Sequence, residues 1–324
     1  MFRISTVAGR WLVAASLMAL CASATGQTFP SKPIRFISPF APGGTTTILA
    51  RLVGERLTKS WGQQVLVDNR PGGNTLIGTE ALVRLPADGY SILLVTTSHL
   101  TYPMLTPAPY DSVKDFAPIA TLSKSDYMLT LHPSVPSNSL QEFITYAKAR
   151  PGQLNFSSPG NGGMGHLAGE LFNIQAGVQL QHIAYKGGAP ATADLVGGQV
   201  QLAFVVPLNV INHIRAGKLK AIAVSSKARM DALPQMPTFT EAGLPSYDVN
   251  VWFGVVAKAG TPADIVNRMS TEITNMLNTP ETRQLLASQG MDPLIMTPEQ
   301  FGVLMRADNA KYAEVIKTAK IKID

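Results

Sequence analysis

Short apolar segments alternate with stretches of helical periodicity along most of this chain, and a sheet covered by helices buries both kinds of face at once. IRFIS (34 to 38) reads as a strand. After it, residues 46 to 59 set Ile48, Leu49, Leu52, Val53 and Leu57 at helical spacing, with Arg51, Glu55 and Arg56 outward. QQVLVDN and YSILLVTT continue as strands around the helix GTEALVRL, and the second strand is apolar enough to be buried on both faces of a parallel sheet. A second series starts near residue 127, with YMLTLHP, LNFSS, QHIAYKGG and VQLAFVV as strands. Among its helices, HLAGELFNIQAG can end on Gly177 as a left-handed cap. The proline-rich stretch 232 to 248 reads as a connection, and the tail returns to a strand, VNVWFGVVAKAG, followed by helices. The expected fold class is α/β in two lobes, with the chain crossing near 125 to 130 and 246 to 255 and the C-terminal helices rejoining the first lobe.

The first 24 residues stand apart from this pattern. Arg3 and Arg10 precede or flank the apolar run WLVAASLMALCASA, and Ala22, Ser23 and Ala24 supply small residues for cleavage, so residues 1–24 are expected to be an export signal. A lipid anchor on Cys21 is disfavoured by the bulky Leu20 before it. Cys21 is the one cysteine, so the mature chain is expected to carry neither a disulfide nor a thiol nucleophile. Beyond residue 24 no apolar run approaches the roughly 20 residues that span a bilayer, so no membrane insertion is expected after cleavage. The formal charge of +6 falls to about +4 without Arg3 and Arg10. The cations are scattered without aromatic interleaving, which argues against a nucleic-acid partner.

Catalytic signatures are missing from the sequence. It has no G-x-S-x-G, S-x-x-K or H-E-x-x-H, and the histidines (His99, His132, His166, His182 and His213) are never paired at metal-ligand spacing. Each is read as a local hydrogen-bonding group; no metal and no cofactor is expected. What the sequence does offer is two glycine-rich turns between a strand and a helix. In the first, Gly43 and Gly44 let a ligand approach the backbone, and Thr45 to Thr47 can cap the helix. In the second, SSPGNGGMGH, Ser157 and Ser158 bring hydroxyls and Gly160, Gly162, Gly163 and Gly165 bring backbone freedom. A helix start carries unpaired N–H groups and partial positive charge, so such turns suit an anion. Neither turn is a nucleotide motif. Lys186 follows a strand, where it could add charge to a cleft or be solvated; Trp252 and Phe253 could line a cleft or pack in the first lobe's core, the core being favoured.

The blocks FPSKPIRFISPFAPGG, GQQVLVDNRPGG, IGTEALVRLPADGYSILL, AYKGGAPATADLVGGQV and MPTFTEAGLPSYD together resemble the solute-binding proteins of the tripartite tricarboxylate transporter system, the Bug-type extracytoplasmic receptors. The resemblance implies a two-lobed periplasmic-binding-protein (Venus flytrap, type II-like) fold, monomeric, with lobe 1 at 25–126 and 250–324 and lobe 2 at 127–249. It further implies a non-enzymatic receptor in the periplasm that captures a small organic carboxylate and presents it to membrane permease subunits. By position, the first turn contributes Phe40, Ala41, Pro42, Gly43, Gly44, Thr45 and Thr47. The second contributes Ser157, Ser158, Gly160, Asn161, Gly162, Gly163 and His166. Thr96, Thr97, Ser98, Tyr185, Lys186, Gly187 and Val205 face the cleft as well. Family members often have aspartate where this chain has Thr47, and many have one after the strand ending at Phe204, where Val205 and Val206 stand here. The pocket is therefore expected to be less acidic and more apolar, suiting a carboxylate on an apolar or aromatic body such as terephthalate, or a citrate-type acid, over an amino acid. An exported hydrolase of small esters and a partner of a membrane sensor kinase are the alternatives.

Overall fold

The computed structural model describes residues 29–318. The expected export signal, residues 1–24 with Cys21, lies outside the described residues.

The chain opens with β1 (Ile34–Ser38), α1 (Thr45–Trp61), β2 (Val65–Asn69), a short 3-10 turn (Gly73–Thr75), α2 (Leu76–Val83), β3 (Ser91–Thr96), α3 (Ser98–Leu105) and β4 (Phe116–Asp126). It continues through β5 (Met128–Leu131), α4 (Leu140–Lys148), β6 (Leu154–Ser158), α5 (Met164–Ala176), β7 (Leu180–Ala184), α6 (Gly188–Val196), β8 (Leu202–Val205), α7 (Pro207–Arg215) and β9 (Lys220–Val224). It closes with β10 (Asn250–Lys258), α8 (Ala263–Leu277), α9 (Pro280–Ser288), β11 (Asp292–Pro293) and α10 (Pro298–Thr318).

Two mixed sheets result, ordered β11-β4-β10-β3-β1-β2 and β7-β6-β8-β5-β9. Each contains a parallel trio, β2-β1-β3 or β7-β6-β8, followed by one antiparallel strand that has crossed from the other lobe, β10 or β5. The α/β two-lobed class is as the sequence pattern predicts. Parallel strands joined by helices put every strand-to-helix turn at the same edge of a sheet. The turns after β1 and β3 in one lobe thus face those after β6 and β8 in the other.

Burial explains the helices. α1 turns Leu49, Ala50, Val53 and Leu57 onto the first sheet and ends at Gly62, whose left-handed φ of 67° lets its N–H reach Thr58 O. α5 ends the same way at Gly177, φ 64°. α8 and α10 both pack on β4, so the C-terminal helices do rejoin the first lobe. One apolar cluster includes residues of both lobes, among them Tyr127, Val249 and Val251 of the crossing segments.

The two crossings are stitched side by side. Tyr127 N–H is shared between Ser225 Oγ at 2.9 Å and Val249 O at 3.2 Å, Ser225 N–H donates to Tyr127 O at 2.8 Å, and Ser225 Oγ donates to Val249 O. One buried hydroxyl therefore ties three segments together. Ser225→Ala is expected to lower unfolding stability by about 1–2 kcal/mol, read as a fall in urea midpoint, because the Val249 carbonyl loses its hydroxyl donor; an unchanged midpoint would contradict this role.

Candidate functional site

The facing turns enclose a cavity of about 50 Å³. Five helices begin at its wall. α1 contributes Gly44, Thr45 and Thr46, α3 contributes Ser98, α5 contributes Gly163, Met164 and Gly165, α6 contributes Gly188, and α7 contributes Val206 and Asn209. No charged side chain lines it among the described residues. The rest of the wall is mainly apolar, from Phe40, Tyr127, Val205, Val251 and Phe253.

The distribution of acids sharpens the point. None of the five cavity helices has an acidic residue in its first turn, and α2 also lacks one. α4, α8, α9 and α10, whose first turns lie elsewhere, have Glu142, Asp264, Glu281 and Glu299 there. An acid in the first turn offsets the helix dipole and stabilises it by about 0.3–1 kcal/mol. The cavity helices forgo that stabilisation, which leaves their positive ends and first-turn N–H groups directed at a shared, largely apolar space. Such an arrangement binds an anion without a cationic side chain.

The lobes are closed on each other. Ala41 N–H donates to Lys186 O at 2.8 Å, Thr45 Oγ1 to Asn209 Oδ1 at 3.0 Å, Met164 N–H to Ser98 Oγ at 3.2 Å and Thr101 Oγ1 to Gly162 O at 3.1 Å. Each bond joins one lobe to the other around the cavity. Outside lies a vestibule of about 430 Å³, which shares Phe40, Asn74, Pro159 and Gly160 with the inner cavity.

Of the residues expected from sequence, Phe40, Gly44, Thr45, Thr96, Ser98, Gly160, Gly163 and Val205 line the inner cavity. Asn161, Tyr185 and Lys186 line only the vestibule, where the Tyr185 hydroxyl turns to Asp194 Oδ2 at 2.6 Å. The others stand behind the wall. Gly43 makes the turn with φ 89°, and Gly187 sits so near Ala41 that a Cβ would lie 3.0 Å from its nitrogen. Thr97 Oγ1 accepts from Trp252 N–H, and Ser157 Oγ donates to Ala191 O. Pro42 lines neither space.

The threonines do not cap α1. Gly44 takes the N-cap position, and all three hydroxyls lie inside the helix: Thr45 bonds Asn209, Thr46 accepts from Ser38, and Thr47 accepts from Asn69 Nδ2 at 2.7 Å. Asn69 also donates to Phe40 O, so the pair braces the first turn. Trp252 and Phe253 divide the two readings between them. Trp252 packs on Phe301 and donates from Nε1 to Asp308, while Phe253, its neighbour on β10, lines the cavity.

The second turn rests on two histidines. His166 Nδ1 accepts from Gly162 N–H at 3.0 Å, and its ring stacks on His182 at 3.8 Å. His182 Nε2 lies 2.6 Å from Ser158 Oγ, which accepts from Gly160 N–H. Burial, with His166 beside it, pushes His182 down to about 3. His99, buried behind the first lobe's turns with Nε2 at Ser112 O, is held at about 4 by burial.

Sequence reasoning missed Asn74, Tyr127, Gly188, Asn209 and Val251 as wall residues. Asn74 differs from the rest. It is 7% exposed, neither amide atom has a partner among the described residues, and its backbone sits at φ 41°, ψ 60°, followed by Thr75 at φ 91°. Strain of this kind costs about 1–3 kcal/mol per residue, and an unpartnered buried amide about as much again.

Two outcomes follow from this geometry. Thr45→Asp places a carboxylate at the start of α1, and its anion affinity is expected to drop at least about tenfold while the free protein's melting temperature holds or rises; unchanged calorimetric affinity would contradict the anion reading. The second concerns acid. An unfolded His182 takes its proton near 6.5 whereas the folded one resists to about 3, so stability falls as pH is lowered through that window. His182→Gln is expected to make the decline shallower between pH 6 and 4 in urea titrations, and an unaltered slope would show that His182 is not its source.

Residues 49–321 match the family described as Tripartite tricarboxylate transporter family receptor. Protein BugT of Bordetella pertussis is 33% identical over 326 aligned residues, covering 100% of this chain and 99% of BugT. An R. palustris protein solved with adipate is 32% identical at a TM-score of 0.88, covering 91% of this chain and 99% of that one. Periplasmic binding protein BugD is 32% identical at a TM-score of 0.87, with the same coverage. The matched family is one of receptors and not of enzymes, and the adipate complex and BugD are structures of proteins that bind solutes. No helix among the described residues is long and apolar enough to cross a membrane. The chain belongs to the tripartite tricarboxylate transporter receptors of the Bug type.

Proposed function

We propose that this receptor captures a small organic carboxylate in the periplasm and hands it to membrane permease subunits. Five helices that start at one cavity without an acid in any first turn carry this reading. Adipate in the R. palustris relative supports the chemical class. Lobe 1, 25–126 and 250–324, and lobe 2, 127–249, move about the stitched crossings at Tyr127 and Val249, and the solute favours the closed form because it touches both.

The wall also bears on which acid. A carboxylate on an apolar or aromatic body, terephthalate being a candidate, places its charge at the helix starts and its body against Phe40, Tyr127, Val205, Val251 and Phe253. A citrate-type acid would bring several charges and a hydroxyl against that apolar wall at a desolvation cost. An amino acid would need a partner for its ammonium, and the inner wall has no carboxylate among the described residues.

Calorimetry with terephthalate, benzoate, adipate, malate, citrate, aspartate and glutamate tests the proposal. Binding of one equivalent of a carboxylate with an apolar body, recovered chemically unchanged, is expected, with citrate and the amino acids weaker. Tight aspartate or glutamate binding with the others ignored would contradict the assigned class, and turnover would contradict the receptor role.

A further inference from the structure

Among the described residues, Asn74 is the one polar side chain that reaches the wall of both the inner cavity and the vestibule. It arrives from the loop after β2 in the first lobe and lodges against the second turn of the other lobe. A Cβ on Gly160 would lie 2.7 Å from its Oδ1, and one on Gly163 would lie 2.8 Å from the same atom. Those two glycines therefore leave the space that this carboxamide fills. The backbone that delivers it, Asn74 and Thr75, holds the two positive-φ non-glycine residues among those described.

Among the described residues nothing bonds either end of the amide. Buried polar side chains nearly always find partners, and two strained residues in series persist only where the surroundings hold them for a purpose. The carboxamide lies edge-on to the second turn, its Oδ1 and Nδ2 2.8 and 3.0 Å from where a Cβ on Gly163 would be, and the side chain lines the cavity. A carboxamide NH2 is an uncharged double donor and suits a carboxylate in a space that has no cationic side chain among the described residues.

We propose that the Asn74 carboxamide donates from Nδ2 to the carboxylate of the solute, which makes Asn74 a specificity-determining residue of the closed cleft and a link from lobe 1 to a solute held against lobe 2. This rests on the carboxylate reading above. The contact forms only when the lobes meet, since Asn74 and the glycines it lies against belong to different lobes. It therefore selects for an acid in the closed state, while the helix starts attract anions in the open one. Where the solute carries an ester or amide in place of the acid, the donor meets a weaker acceptor and the advantage of closure shrinks.

Two variants test this without relying on one fold outcome. Asn74→Gly keeps the positive-φ backbone at ease and removes the amide, and Asn74→Asp keeps the shape and removes the donors. Calorimetry on wild type and both variants uses terephthalate, benzoate, adipate, malate and citrate, together with the monomethyl ester of the tightest diacid or the methyl ester of benzoate. Wild type is expected to bind at least one acid, both variants are expected to lose about ten- to hundredfold, and the penalty for esterification is expected to shrink in Asn74→Gly. In ¹⁵N-labelled wild type, the Asn74 NH2 signals, assigned by their loss in Asn74→Asp, move downfield as the acid is added. A residue that only fills space leaves those signals and the esterification penalty unchanged. Wild-type binding with both variants within twofold overturns the role of Asn74 and leaves the receptor reading standing. No binding of any of the five acids by wild type overturns the carboxylate reading and this inference with it.

Discussion

The arrangement of this protein depends on helix dipoles left without counter-charge inside a closed, mostly apolar space. A helix start in water costs little, since solvent covers its N–H groups, and four helices here take an acid in the first turn as well. Five starts buried around one cavity with no such acid are a standing electrostatic demand. Low local polarity magnifies the interaction with any anion that enters. Because the charge is supplied by main chain, the first turn needs glycine and small residues more than lysine or arginine, and Ala41 to Gly44 provide them.

Topology brings the dipoles together. Both sheets repeat one order, a parallel trio and then a strand borrowed from the other lobe, so each lobe presents its strand-to-helix turns at one edge and the borrowed strands turn those edges towards each other. The crossings that lend β5 and β10 run side by side, where Ser225 joins Tyr127 to Val249. Tyr127 serves both crossing and cavity, since its backbone is bonded in the crossing and it also lines the cavity. Crossing and cavity wall are thus parts of one piece of chain.

Much of this was legible in the sequence because it is local. Strand and helix patterns between residues 34 and 224 follow from periodicity, Gly177 from its place after a helical run, and the two glycine-rich turns from their position between strand and helix. Val205 and Thr96 were reachable as strand ends. What periodicity does not hold is which side chains meet across lobes. Asn209 reaches Thr45 over a sequence distance of 164 residues, and Asn74 lies against Gly160 and Gly163 by tertiary contact alone. The threonines misled for a different reason: a hydroxyl beside a helix start reads as a cap, but Gly44 already occupies that position, which frees Thr45 to join the lobes. Trp252 and Phe253 could not be separated by composition, and strand alternation sends one to the core and the other to the cleft.

Main-chain amides from both lobes, if they hold the acid group as proposed, report it in their own signals. Backbone ¹⁵N–¹H spectra of the labelled protein, recorded through a titration with the carboxylate that binds, test it most directly. Downfield amide shifts at residues 44–46 and at residues 163–165 that saturate together at one equivalent are expected. Shifts confined to a single lobe, or centred on lysine and arginine side chains with both turns unmoved, would contradict the proposal.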